Sequence, residues 1–261
     1  MIRVLKFWLA LMAVWFSCAC LIMEQKKITL YSIGDSTMAD YDIEQLSKEN
    51  GGENYPLRGW MMELSQFFNG NILIKNFAVS GRSSKSFRNE GHWKKVMDNL
   101  QPGDYVFIQF GHNDSKIDDS TRYTDPGTSF RQNIINYVKE TKEKGAHPVL
   151  FTSIVRRAFD DEKKLKDTHG QYVKVVRELA SEMNVPLIDL NRKTEEFVSA
   201  LGPEKSKEFF LFIKPGLFAK LPNGLEDNTH LSEWGALKVA ALAIDGMKEL
   251  KLPIIQYLKL N

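Results

Sequence analysis

Beyond residue 27 the chain alternates short apolar runs with segments whose apolar residues recur at helical spacing. The runs are Ile28 to Ile33, Asn71 to Phe77, Tyr105 to Phe110, Pro148 to Ser153 and Val185 to Leu190. They are short, rich in β-branched and aromatic side chains, and bounded by turn residues, so they predict strands. Between them, Leu57 to Phe68 places Trp60, Met61, Leu64, Phe67 and Phe68 on one side of a helix. Trp93, Val96 and Leu100 mark a helix that Pro102-Gly103 stops, and Phe130, Ile134, Ile135 and Val138 mark one that ends at Gly145. Tyr172, Val173, Val176, Leu179 and Met183 mark another, and a last helix is predicted from about Ser232 to Leu250. Three polar stretches, Asp40 to Pro56, Ser115 to Gly127 and Arg156 to Gly170, read as loop insertions around the mouth of a site.

Continuous apolar strands between amphipathic helices are buried on both faces, which is the habit of parallel sheets with right-handed crossovers. The expected fold is therefore α/β: a three-layer α/β/α sandwich with a mostly parallel, flavodoxin-like five-stranded sheet. A single domain over residues 27–261 accounts for the whole pattern, and a 261-residue chain that is 43% hydrophobic can bury a sizeable core. Ligands in such sheets bind beyond the carboxyl ends of the strands.

Formal net charge is +2, and the cations are spread out in pairs such as Lys94-Lys95 and Lys163-Lys164. A nucleic-acid binder gathers them into a stripe, so no nucleic-acid partner is expected. Residues 1–20 read as a signal peptide: Arg3 and Lys6, then the apolar run Phe7 to Phe16, then small residues at Ser17-Cys18-Ala19. Two other readings stay open. One is a lipoprotein signal with Cys20 or Cys18 as the lipidated residue, although the usual leucine three residues earlier is missing. The other is an uncleaved membrane anchor. Each implies an exported chain, periplasmic, secreted or lipid-anchored at the cell envelope, that meets the membrane only through its N-terminus. Both cysteines lie in this segment, so the remaining domain has no intradomain disulfide, thiolate metal site or cysteine nucleophile.

Four segments carry the candidate chemistry: Gly34-Asp35-Ser36, Gly81, Gly111-His112-Asn113-Asp114 and Asp227-Asn228-Thr229-His230. Taken singly they are ordinary. Ser36 reads as a helix N-cap, Gly81 as a turn glycine, Asn113 as a strand-end asparagine, and Asp227 with His230 as a capped helix start. Taken jointly they supply a nucleophile (Ser36), a base (His230) and a carboxylate three residues earlier (Asp227) to orient it. The backbone N–H groups of Ser36 and Gly81 and the side-chain amide of Asn113 supply an oxyanion hole. Few chemistries other than acyl transfer to a hydroxyl need all of these parts. Gly34 is expected to permit a sharp exit from the strand through backbone angles closed to other residues, and Asp35 to hydrogen-bond loop backbone. His112 has no carboxylate at useful spacing apart from Asp114 and is set aside as the base. His92, His147 and His169 are scattered without metal-ligand spacing, so no metal is expected.

In this order, Ser36, Gly81, Asn113 and His230 resemble the four blocks of the SGNH (GDSL-like) hydrolase superfamily, from about Ile28 to the last helix. Gly34-Asp35-Ser36-Thr37-Met38-Ala39, the stretch Asn76 to Phe87 and Asp227-Asn228-Thr229-His230-Leu231 look like the rhamnogalacturonan acetylesterase family, which removes acetyl groups from pectin backbones. The resemblance implies an extracytoplasmic serine esterase acting on acetylated polysaccharide, with neither metal nor organic cofactor and with Asp227 as the third member of the triad. Arg82, Ser83 and Ser84 would flank the oxyanion hole and either contact sugar hydroxyls or a galacturonate carboxylate, or merely solvate a helix N-terminus. The long insertion after Asp114 departs from the family's pattern. The alternatives are a xylan or other carbohydrate acetylesterase, a short-chain lipid esterase, and a non-catalytic carbohydrate-binding protein on the same fold. The polar loops favour short acyl groups.

Overall fold

A computed structural model describes residues 27–259. The expected signal segment, residues 1–20, lies outside the described residues. Five parallel strands form the central sheet: β1 (Thr29–Gly34), β3 (Leu73–Asn76), β4 (Tyr105–Gln109), β5 (His147–Phe151) and β6 (Leu187–Ile188). Their order is β3-β1-β4-β5-β6. Chain order therefore reverses at β1, whose neighbours are β3 on one side and β4 on the other. The crevice beyond the carboxyl ends of β1 and β4 is the topological switch point of a flavodoxin-like sheet.

Side-chain alternation along these strands splits the core in two. Leu30, Phe107, Val149 and Phe151 pack on one face, against Trp60, Met61 and Leu64 of α2 (Trp60–Leu64) and Val239, Ala243 and Met247 of α8 (Glu233–Glu249). Tyr31, Ile33, Val106, Ile108 and Leu150 pack on the other. That face is covered by α3 (Ser84–Asn89), α4 (His92–Met97), α5 (Arg131–Glu143) and α6 (Gln171–Glu182). The three-layer sandwich follows: β1, β4, β5 and β6 carry apolar side chains on both faces, and each face has its own set of amphipathic helices.

The structure also contains elements that the apolar pattern does not announce. Helix α1 (Ile43–Asn50) lies in the stretch expected to be loop, started by the Asp42 side chain accepting from Gln45 N at 2.9 Å and ended by Gly51 at φ 69°. The segment expected as one helix from Leu57 to Phe68 begins instead with β2 (Leu57–Arg58), and α2 starts after Gly59. Helix α7 (Leu190–Lys205) follows β6 directly. A second, antiparallel sheet of order β2-β8-β7 joins β2 to β7 (Phe210–Ile213) and β8 (Leu225–Ser232). Strands β2 and β7 are short, and the sequence of β8, LEDNTHLS, lacks an apolar run.

The role expected of Gly34 is corrected by its environment. It keeps ordinary strand conformation at the end of β1, so no special backbone angle is involved. Glycine is needed for space: a Cβ there would stand 2.4 Å from Met38 Sδ and 2.8 Å from the Gln109 carbonyl oxygen of the adjacent strand. Met38 is fully buried and has little room to yield. Overpacking of this kind costs about 2 kcal/mol, so Gly34→Ala is expected to lower the Tm by roughly 4–8 °C in a calorimetric scan. An unchanged Tm would show that the β1–β4 contact is looser than the structure indicates.

Candidate active site

The loop after β1 is a tight turn held from several sides. The amides of Met38 and Ala39 both donate to the Asp35 carbonyl at 3.1 Å, and Trp60 N donates to the Thr37 carbonyl at 2.9 Å. Asp35 Oδ1 accepts from Thr37 N and Thr37 Oγ1 at 2.9 and 2.8 Å, the loop-backbone role expected of it. Tyr41 OH donates to the Ser36 carbonyl at 2.8 Å. No helix follows, so Ser36 is not an N-cap; it sits at the tip of a rigid turn. Among the described residues its hydroxyl bonds to no protein group and its backbone N–H has no protein acceptor, which leaves both free for a ligand.

Gly81 lies in the loop after β3 at φ 78°, a left-handed conformation in which glycine carries no steric penalty. Its N–H also has no protein acceptor among the described residues. Asn113, in the loop after β4, gives one N–H of its side chain to the Arg82 carbonyl at 3.1 Å, which orients the amide and leaves the second N–H unused. Ser36, Gly81 and Asn113 all line one cleft, together with His112, Asp227 and His230.

Asp227 and His230 reach this cleft from the small sheet, by a route different from a helix start. In the β7–β8 ladder, Phe210 faces Leu231 and the next residue, Leu211, faces Asp227. Asn228, Thr229 and His230 are therefore extra residues, thrown out of β8 as a bulge. The Asp227 carboxylate closes it: Oδ1 accepts from Thr229 N and His230 N at 2.8 and 2.9 Å, while Oδ2 lies 2.7 Å from His230 Nδ1. Arg157 braces the outside, its backbone N donating to the Asn228 carbonyl at 2.8 Å and its guanidinium to Asn228 Oδ1 at 2.9 Å. Burial works against ionisation of Asp227, but the bonds from the His230 ring and backbone and from Thr229 outweigh it and hold the carboxyl down at about 2. An anionic acceptor at Nδ1 places the ring proton there, so Nε2 keeps its lone pair. Ser36 and His230 face the same cleft with no hydrogen bond between them. Contacts of this type are commonly long before substrate binds.

His112 also lines the cleft, but it is not built as a base. Burial keeps its ring neutral, its Nδ1 lies 3.1 Å from His169 Nε2, and its Nε2 is buried without a partner. The neighbouring Asp114 carboxylate is turned away to Ser84 and Thr124. No three His, Cys, Asp or Glu side chains among the described residues gather into a metal-binding group.

Of the three residues expected to flank the oxyanion hole, Ser83 and Ser84 are turned inward, in keeping with the helix N-terminus alternative. Ser83 and Ser84 are fully buried. Ser83 exchanges a capping box with Ser86 at the start of α3, while Ser84 gives its N–H and hydroxyl to Asp114 at 3.0 and 2.5 Å. The Arg82 guanidinium is engaged by Glu90 at 2.8 Å and by the Ser80 carbonyl at 2.9 Å. Two cations that the sequence did not single out, Lys116 and Arg156, line the cleft in their place. Both come from the loops expected to surround the site.

This geometry agrees with the comparisons to known proteins. The profile of the GDSL-like lipase/acylhydrolase family matches residues 32–236. The chain belongs to this family. It is thus a carboxylic ester hydrolase of the SGNH type. Rhamnogalacturonan acetylesterase RhgT of Bacillus subtilis (strain 168) is 39% identical over 236 residues, covering 90% of this chain and 96% of that relative. Rhamnogalacturonan acetylesterase of Emericella nidulans is 29% identical over 231 residues, covering 81% of each chain. Among solved structures, protein YXIM of Bacillus subtilis superimposes with a TM-score of 0.71 at 25% identity, over 87% of this chain and 58% of that one. The acetylxylan esterase Axe2 of Geobacillus stearothermophilus shares the fold at a TM-score of 0.55 and 17% identity, over 84% of this chain and 94% of that one.

The lowered proton affinity of Asp227 has a consequence for stability. A carboxyl whose folded value lies near 2 stabilises the fold fully above its unfolded value and loses that contribution as pH falls through the folded one. The gap in urea midpoint between the wild type and Asp227→Asn is therefore expected to be widest above about pH 5 and to narrow from about pH 4 downward. A gap that widens in acid would contradict the carboxylate–imidazole pair.

Proposed function

We propose that this protein is a carbohydrate acetylesterase that uses Ser36, His230 and Asp227 as a catalytic triad, and that its substrate is acetylated pectin of the rhamnogalacturonan type. The observation that carries the reading is the 2.7 Å contact of Asp227 with His230 Nδ1, in one cleft with a serine hydroxyl free of protein partners. His230 Nε2 takes the Ser36 proton as Oγ attacks the acetyl carbonyl. The N–H groups of Ser36 and Gly81 and the Asn113 side chain receive the oxyanion. His230 then protonates the departing sugar hydroxyl, and a water, deprotonated by the same imidazole, releases acetate and restores Ser36.

The polysaccharide reading draws its support from the relatives RhgT and the Emericella nidulans enzyme, which are named for rhamnogalacturonan. The likeness to the acetylxylan esterase extends to the fold alone. Residues 1–20 support action outside the cytoplasm, since their pattern is that of an export signal.

Acetate release from acetylated rhamnogalacturonan, measured beside acetylated xylan, tests the substrate. Ser36→Ala is expected to lower the rate by about 10⁶ with an unchanged circular dichroism spectrum, and Asp227→Asn by about 10⁴, because the imidazole loses its orienting anion. A fully active Ser36→Ala variant would remove the nucleophile from the scheme. Asn113→Ala is expected to cost about 10²–10³ in kcat with little change in KM, the signature of an oxyanion donor.

A further inference from the structure

We infer that Lys116 and Arg156 form a carboxylate-binding subsite beside Ser36, so that the enzyme recognises a uronate on the polymer next to the acetyl group it removes. This inference rests on the esterase reading and adds the origin of its substrate specificity.

The cleft holds two cations, Lys116 and Arg156, that form no ion pair among the described residues, and the Lys116 ammonium has no hydrogen-bond partner there. Arg156 is partly buried, and its guanidinium is fixed by two carbonyls, His112 at 3.0 Å and Thr168 at 3.3 Å. Carbonyls orient a guanidinium but leave its charge unmatched. Of the acids nearby, Asp227 and Asp119 are committed elsewhere. Asp227 holds His230. Asp119, next to Lys116 in the chain loop, is taken by Arg122 Nε at 2.5 Å and by Thr121. Asp35 is fully buried beneath the serine turn and is bonded to Thr37 through one oxygen only. Burial and repulsion from Arg122 and Arg156 lower the proton affinity of Lys116, outweighing the opposing pull of Asp119 and Asp35.

Like charges held together at a cleft focus a positive field on the ligand that enters. A neutral acetylated sugar would cover these cations without replacing their water, which opposes binding. A carboxylate meets both: it matches the planar fork of the arginine and the point charge of the lysine. The more obvious candidate by sequence, Arg82, is withdrawn into its pair with Glu90. Galacturonate, which alternates with rhamnose along a rhamnogalacturonan backbone, carries such a group on every second sugar, whereas a plain xylan backbone carries none.

Calorimetric binding separates this inference from the esterase reading. The probes are an unacetylated rhamnogalacturonan oligosaccharide and the same oligosaccharide with its carboxyl groups reduced to alcohols. The full-length protein is expected to bind the acid form about ten-fold more tightly, as one charge-assisted contact would give, with the preference shrinking as salt is raised. Lys116→Gln, at an exposed position without protein bonds, is expected to erase most of that preference, and Lys116→Arg to restore it. Equal affinity for the two forms, or an undiminished preference in both Lys116→Gln and Arg156→Gln, would overturn the subsite. A preserved preference without acetate release from any acetylated substrate would instead overturn the esterase reading.

Discussion

The Asp227 carboxylate makes three bonds within three residues of itself, to two backbone amides and one imidazole nitrogen. Two of these bonds close the bulge in β8, and the third holds the ring that the bulge presents. Without the carboxylate, Asn228 to His230 would be three surplus residues in a strand, with amides that the β7–β8 ladder cannot reach. Folding and the proposed catalysis thus draw on the same anion. Burial of such a group is ordinarily costly, and its depressed proton affinity shows that the bonds more than offset that cost.

The remaining groups of the proposed site arrive from the other side. Ser36 follows β1, Gly81 follows β3 and Asn113 follows β4, and these three strands are adjacent. Because chain order reverses at β1, the loops after β3 and β4 diverge and leave a crevice above the first strand. The small sheet closes the crevice from outside: β8 pairs with β2, and β2 is followed directly by α2, whose Trp60 bonds both the Thr37 carbonyl and, through Nε1, Gln109 at 2.8 Å. His230 is therefore tied to the Ser36 turn through short, well-bonded elements, and its position does not depend on a long flexible loop.

The central sheet was legible because four of its five strands carry apolar side chains on both faces, a signal that survives without knowledge of partners. The second sheet was not: β8 alternates exposed and half-buried residues around polar Asp227, Asn228 and Thr229, and its pairing is long-range. Asp227 and His230 could nevertheless be named, because a helical turn and a closed bulge both bring residues three apart side by side. The structure brings the two side chains together through a bulge and not through a helix start. Ser83 and Ser84 went the other way. Their place beside Gly81 suggested sugar contacts, yet the chain turns them inward at the start of α3. Lys116 and Arg156 could not be singled out because the same loops carry Arg122, Arg157, Lys163, Lys164 and Lys166, and only the path of the chain decides which cation faces the cleft.

The buried serines have a use that bears on the chemistry. Ser84 binds Asp114 through its N–H and hydroxyl, and Thr124 Oγ1 adds a third donor at 2.7 Å. Tyr137 and Asn133 hold Ser84 in turn, through its carbonyl at 2.7 Å and its hydroxyl at 3.0 Å. Asp114 stands one residue after Asn113, and Ser84 three residues after Gly81. The contact therefore locks the β3 loop to the β4 loop immediately behind the two donors they supply. Asn113 adds a second tie by bonding the Arg82 carbonyl. Burial raises the Asp114 carboxyl to about 6, so the lock is maintained against a desolvation cost. An oxyanion hole works only if its donors are in place before charge develops. Here a buried carboxylate, out of reach of substrate, fixes the spacing between the Gly81 amide and the Asn113 side chain.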